Sequence, residues 1–572
     1  MKHYCPAVLL ALAVGSLAPR NSVAQSVVAI RPAAAGQLLG SDDEDRARLA
    51  QLLGRDSLAG FLLRSPSTRA AALGGRAPDA NRDTLFVAPW WPDVTLVHNS
   101  ALPYTLNDGA LWAGRGTSAS VTGGVRVRFR FLHLTIAPTV VYAENAAFVL
   151  PSDSSVVQPI PPPRSQYSNP WRVYGPSIDA PLRFGPTAYA RLDLGQSALY
   201  ASVGAVEIGF TTENEWWGPG IRNALVLSSN APGVPRLFAR TARPIATPIG
   251  QVDARFFFGS LTTSPFFEQP LAPVNRERSI SAAAVTLRPA IAPTLSIGAA
   301  RSVYAQVTEH GRSLESHALD VFTNPGRPNA VPLSDGSQRL GRDQIYSLFA
   351  RWVLPDDGFE SYAEWGRTEL PVNLRDALVS PNHTQGYTLG FQYARPVLDG
   401  RRTLRLQGEL TDVAQSATYR QRPTGSWYTS RAVLQGYTQR GQVLGAAVGP
   451  GSTAQWFAGD LFSPTWSAGL FAGRVRWDDD AYYTIPRFAG NGTCKHDVSL
   501  LGGVRGTHRS RAGDMTGSLT WANRLNTFYQ TTGFCYGDGP IDRVDTRNLT
   551  FTLTYSPRVN RDVPRSAVGA ER

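Results

Sequence analysis

The sequence predicts an all-β chain, a transmembrane β-barrel of the outer-membrane type. Three observations predict it. The chain opens with an export signal: Lys2 supplies the positive start, Val8 to Val14 the apolar core, and Ser22-Val23-Ala24 a small-residue cleavage site before Gln25. Beyond that signal, no apolar run reaches the ~18 residues that a spanning helix requires. Instead, segment after segment alternates apolar and polar residues with a period of two, as strands do when one face meets lipid and the other a polar lumen.

Taken in order, residues 1–24 are the expected signal peptide, 25–80 a helical segment at the periplasmic mouth, 81–556 the barrel and 557–572 a C-terminal tail. Cys5 falls inside the signal without lipoprotein context. Ser41 and Glu44 form a capping box, Asp42 and Asp43 sit where the helix dipole favours anions, and Leu49, Leu52 and Leu53 make an apolar stripe that Gly54 can end. A second short helix is expected from Asp56 or Ser57 through Leu58, Phe61 and Leu62. Such a pair must bury its apolar side, which suggests a helical bundle at the barrel mouth.

The strand signal begins near Asn81. Val125, Val127 and Phe129 alternate with Arg126, Arg128 and Arg130, and the phase slips after Phe131, where a strand end or bulge is expected. Val252 to Phe258, Leu404 to Glu409 and Leu549 to Tyr555 repeat the pattern. Short turn signals follow some strands, Pro355-Asp356-Asp357-Gly358 and Asp399-Gly400 among them. Longer polar, Pro-rich connections such as Pro159 to Pro163 and residues 309–339 belong to the opposite end. The absence of a repeat period argues against a solenoid or propeller.

The chain has 572 residues and a formal charge of +12, with Lys2 and Lys495 its only lysines. Arginine suits carboxylates and lipid head groups, although a genome bias explains the Arg/Lys ratio equally well. Without a Lys/Arg run, nucleic acid is not an expected partner. In the mature chain, Cys494 and Cys535 either pair as a disulfide in an oxidising compartment or stay as thiols.

Several segments carry a resemblance. They are Asn107-Asp108-Gly109-Ala110-Leu111-Trp112; Glu213 to Gly220 with Leu227 to Ala231; Asp343 to Trp352 with Phe359 to Arg367 and Leu374 to Phe391; and Gly408 to Arg420 with Ser426 to Tyr428, Gln435 to Thr438 and Arg440 to Gly445. In this order they resemble the Wzi-type outer-membrane capsule assembly proteins. The resemblance implies a monomeric barrel of about eighteen strands with a helical bundle at the periplasmic end. It also implies a lectin-like role, holding capsular polysaccharide at the cell surface. Ala113 and Gln439 depart from it, as does Pro159 to Pro163, which reads as an insertion.

The candidate site centres on Thr211 to Asn230. Trp faces and Glu and Asn hydrogen-bonding groups are the chemistry of sugar recognition. Glu213, Asn214, Glu215, Trp216, Trp217, Arg222 and Asn230, with Asn107 and Asp108, are therefore expected to bind polysaccharide or to pack a plug. On a strand, Glu213 and Glu215 would lie roughly 7 Å apart, within the 6.5–9.5 Å of inverting glycosidases, but neighbours on one strand seldom flank a sugar. Arg126, Arg128 and Arg130 are expected in the lumen, either on acidic sugars or paired with carboxylates such as Glu360 and Glu364. Asp478-Asp479-Asp480 reads as a solvated acidic loop, and no metal, cofactor or nucleophile motif is found. The expected partners are capsular or extracellular polysaccharide and outer-membrane lipids. The alternatives are an open channel for small solutes and a surface glycosidase.

Overall fold

The computed structural model describes residues 38–58, 60–68, 85–104, 106–151, 167, 177–267, 277–307, 314–323, 341–398, 400–484, 496–531 and 543–557. The export signal, Pro159 to Pro163, Cys494, Cys535 and the C-terminal tail lie outside the described residues.

Among the described residues, eighteen antiparallel strands close into one barrel, three of them interrupted once, as at Leu132–Ile136 with Thr139–Ala143. The first strand, Phe86–Asn99, closes the ring on the last, Thr546–Pro557, in a register running from Val94 opposite Tyr555 to Asn99 opposite Thr550. Period-two patterning becomes two faces. Leu549 and Phe551 are exposed outward, while Asn548 and Thr550 are buried inward. Leu406 faces outward, and Arg405, Gln407 and Glu409 face in. The phase slip after Phe131 is a strand end: Gly116–Phe129 stops, Arg130 takes φ +53°, and the next strand starts at Leu132. Pro355–Asp357 forms a tight turn that Gly358 completes in the left-handed region at φ +62°.

Short turns cluster at one end of the barrel, and the helix Asp42–Leu52 docks there. Ser41 caps it by accepting the Glu44 amide, and the Glu44 carboxylate returns to the Gly40 amide (2.6 Å). At the C-terminus the Gly54 and Arg55 amides reach back to Gln51 and Ala50, a Schellman closure with Gly54 at φ +67°. Leu49 and Leu52 pack on Val353, Ala394 and Phe462, each next to a short turn. Arg46 bonds the Ser463 carbonyl (2.8 Å), and Arg509 bonds Asp43 (2.8 Å).

The helix expected from Asp56 or Ser57 through Leu62 does not form. Gly60 takes φ +83°, and Leu63–Arg64 becomes a short strand antiparallel to Trp216–Trp217. Phe61 is buried with the Arg48 and Arg351 guanidiniums 5.8 and 5.2 Å from its ring centre. Extended backbone buries side chains on both sides, which one stripe of a surface helix cannot do.

Candidate functional site

The lumen is filled by the chain itself. Residues 38–58 and 60–68 enter from the short-turn end. Residues 106–112, 212–235 and 426–448 turn back into the barrel from the long-loop end, and the wall binds them through inward-facing carboxylates and arginines. The Glu409 carboxylate accepts the amides of Ile221 (2.7 Å), Arg222 (3.2 Å) and Asn223 (2.9 Å) and the Tyr362 hydroxyl (2.8 Å). Glu364 accepts the Leu225 amide (3.1 Å). Gly218, at φ +120°, passes so near that a Cβ there would lie 2.7 Å from a Glu364 oxygen. Glu360 takes Arg48 of the helix and Arg351 of the wall (2.7 Å).

The candidate residues are brought together: Glu213, Asn214, Glu215, Trp216, Trp217 and Asn230 are buried, and Asn107, Asp108 and Arg222 are half-buried. Glu215 sits between Arg236 (3.2 Å) and Arg255 (2.5 Å) and accepts the Trp217 indole N–H (3.0 Å). Glu213 accepts the Ser67 hydroxyl (2.7 Å) and lies 4.0 Å from Arg240. Burial alone would raise the Glu215 carboxyl, but Arg255 and Arg236 outweigh it and hold it below its ordinary value. Burial wins at Glu213, which is raised despite Arg240 and Ser67. Trp217 is fully buried on Phe257 (5.4 Å), and the Arg64 guanidinium lies 4.8 Å from the Trp216 ring centre. Asn214 donates to the Ala231 carbonyl (2.8 Å), and Asn230 donates to that of Val443 (3.0 Å). Asn107 donates to the Arg222 carbonyl (2.8 Å), Asp108 accepts the Leu106 amide (3.2 Å), and the Arg222 side chain stacks on Trp456 (4.7 Å).

Three lumen arginines carry this clamp without having been singled out in the sequence: Arg236, Arg240 and Arg255. Arg255 is an inward residue of an alternating strand, and Arg236 and Arg240 are four apart on another, the only signal they leave. The departures Ala113 and Gln439 are both buried, and Gln439 accepts the Thr262 amide (2.7 Å).

Two expectations need correction. Arg126 and Arg128 do not pair with Glu360 and Glu364, whose partners are the helix, the wall and the plug backbone. They stack on Trp90 (4.3 Å) and Phe86 (5.5 Å), while Arg130 sits exposed in a hairpin turn beside Phe129 (5.3 Å). The electrostatic reason is proximity: Arg48 and Arg351 already neutralise Glu360. Likewise Asp478, Asp479 and Asp480 are buried and not solvated. Asp479 bonds Arg476 and His496 (2.6 Å), and Asp480 accepts the Gln415 amide (2.7 Å).

Between the plug and the closing strands lies a cavity of about 350 Å³, lined by Asn107, Asp108, Asn214 and Trp216 on one side and by wall residues including Asp93, Thr95, Asp514 and Thr554 on the other. It reaches from the helix N-terminus to the Asn107–Leu111 turn.

No curated protein matches the chain. Among solved structures it is similar to Wzi of Escherichia coli, described as an outer-membrane protein involved in group 1 capsule assembly and a carbohydrate-binding β-barrel. The identity is 12%, the TM-score 0.52, and the match covers 89% of this chain and 91% of that one. It also matches OccAB2 of Acinetobacter baumannii (8% identity, TM-score 0.36, covering 81% and 97%) and OpdK of Pseudomonas aeruginosa with vanillate (11%, 0.35, covering 81% and 97%). The family model described as capsule assembly protein Wzi matches residues 113–459, more than half of the chain. That stretch holds the Glu213–Gly220 turn, its Glu364 and Glu409 clamps and the inward segment 426–448, and the chain belongs to the Wzi capsule assembly protein family.

Proposed function

We propose that this chain is a monomeric, lectin-like outer-membrane protein that holds capsular or extracellular polysaccharide at the cell surface and does no chemistry on it. The supporting observation is the lumen filled by the chain's own segments, which leaves an anchor and not a wide pore. The family and the carbohydrate-binding description of Escherichia coli Wzi supply the ligand class. The glycosidase alternative is weakened because Glu213 and Glu215 are spent on Ser67, Arg236 and Arg255 inside the plug. With Glu213, Asn214, Glu215, Trp216, Trp217 and Asn230 buried, we assign the polysaccharide contact to the long-loop end. There Arg375 and Arg420 are exposed and Tyr419 is partly so, groups suited to acidic sugars and sugar faces.

The test is binding of the detergent-purified protein to the host's own surface polysaccharide, with planar-bilayer recordings alongside. Saturable binding that falls several-fold in an Arg375→Ala/Arg420→Ala variant, without steady current or released oligosaccharide, is expected. Large steady currents with no binding would overturn the anchor in favour of a channel.

A further inference from the structure

The cavity beside the plug has an unusual composition for so basic a chain. Its described lining includes five carboxylates, those of Asp42, Asp43, Asp93, Asp108 and Asp514, and among the described lining residues no arginine, lysine or histidine. Its wall is two rows of oxygen. In the first row Asp514 is paired with Ser556, the Ser556 hydroxyl meets Asp93 across the closing seam, Asp93 is paired with Thr122 and Thr122 with Thr139. In the second, Thr516 pairs with Thr554, Thr554 with Thr95 and Thr95 with Ser120. Facing these rows, the helix N-terminus brings Asp42 and Asp43. One carboxylate oxygen from each of Asp42, Asp43 and Asp514 lies within 4.8 Å of the others.

Arginines serve the mouth side of this cluster. Arg509 contacts Asp43 (2.8 Å), Asp514 (3.6 Å) and Asp42 (3.7 Å), and Arg46 bonds Asp42 (2.7 Å). They do not serve Asp93. Asp93 is 3% exposed; its carboxylate accepts the Trp90 indole N–H (3.1 Å) and the Ser556 hydroxyl, and among the described residues no arginine lies within ion-pair distance of it. The guanidinium of Arg126 is drawn onto the face of Trp90, at 4.3 Å. Two buried lining atoms, Trp216 Nε1 and Asn107 Oδ1, lack hydrogen-bond partners. A buried carboxylate with no cation in contact is costly even when hydrogen-bonded. Hard, hydrated cations take carboxylate, hydroxyl and water oxygens of this kind and retain several waters, for which the cavity has room.

We propose that this cavity binds a hydrated divalent cation between Asp93 and Asp514 of the wall and Asp42 and Asp43 of the helix. The ion pins the N-terminal helix to the seam where the barrel closes. The inference stands apart from the polysaccharide reading, because none of these residues lies at the long-loop surface.

The experiment uses the full mature chain in detergent, stripped with chelator and titrated with Tb³⁺, with Ca²⁺ as competitor. Trp90, bonded to Asp93, makes its indole the antenna. Saturable sensitised emission, displaced by Ca²⁺ and not by Na⁺, is expected in the wild type. Ca²⁺ should also raise the melting temperature. Asp93→Asn or Asp514→Asn should weaken both effects roughly tenfold or more. Trp90→Phe should dim the emission, Trp216 of the cavity lining remaining as an antenna, while keeping the Ca²⁺-dependent melting shift. Emission and melting shift unchanged in both Asn variants would overturn the proposal, as would a wild type with neither. Should Asp93→Asn fail to fold, Asp514→Asn and the wild-type titration still decide it.

Discussion

At the residue scale, Glu409 shows how one wall carboxylate organises a plug. Three consecutive amides converge on it, a pattern a loop adopts only around an anion. Glu409→Ala would orphan those amides and the Tyr362 hydroxyl. Buried groups left bare cost about 1–3 kcal/mol each and do not add fully, so a loss on the order of 3 kcal/mol is expected. Glu409→Gln, which keeps an acceptor, should lose less. Chemical unfolding measures the loss, and limited proteolysis should cut within 212–235 while the wall stays intact. The Glu409 position was legible as an inward residue of an alternating strand, but its role was not. The partners are backbone groups 186 to 188 positions away, and period-two reasoning places a side chain on a face without saying what comes to meet it. The same limit explains Trp216 and Trp217. Their chemistry suits sugar faces, yet Phe257, Arg64 and the strand Leu63–Arg64 reach them first.

At the scale of elements, the wall was legible because its signal is local: alternation needs only a few neighbouring residues, and the turns carry their own glycines. The helix Asp42–Leu52 was legible for the same reason, from its caps. The segment after it was not. Leu58, Phe61 and Leu62 fit a helical spacing, and only the distant Trp216–Trp217 edge makes extended backbone the better choice. The helix docks through Arg48 on Glu360 and Gln51 on Arg351 (2.7 Å), and through Asp45 on Arg405 (2.5 Å). Removing residues 38–53 strips these contacts and uncovers the short-turn mouth. Bilayer recordings of that variant should show currents that the intact chain lacks. A truncated barrel as silent as the wild type would mean that the remaining plug closes the lumen unaided.

At the scale of the whole molecule, the contacts that seat the helix join residues 312, 360 and 466 positions apart, and two of them reach strands in the last third of the barrel. Local hairpins form before such long-range contacts, so the helix is expected to dock after the wall closes. Pulse proteolysis during refolding into vesicles should find residues 38–64 cleavable after the wall is already resistant. Simultaneous protection would refute that order. The two-residue pairing of Leu63–Arg64 with Trp216–Trp217 gives the assembled molecule a further property. Arg64 holds Glu44 of the helix (3.1 Å) with one nitrogen and the Gly220 carbonyl (3.0 Å) with another, so a segment entering from the short-turn end is fastened to one entering from the long-loop end. Mechanically, the two ends of the barrel share a tether. A pull on the long loops that shifts 212–235 along the barrel axis is carried through Arg64 to the helix, and the load reaches the opposite end without the wall having to deform.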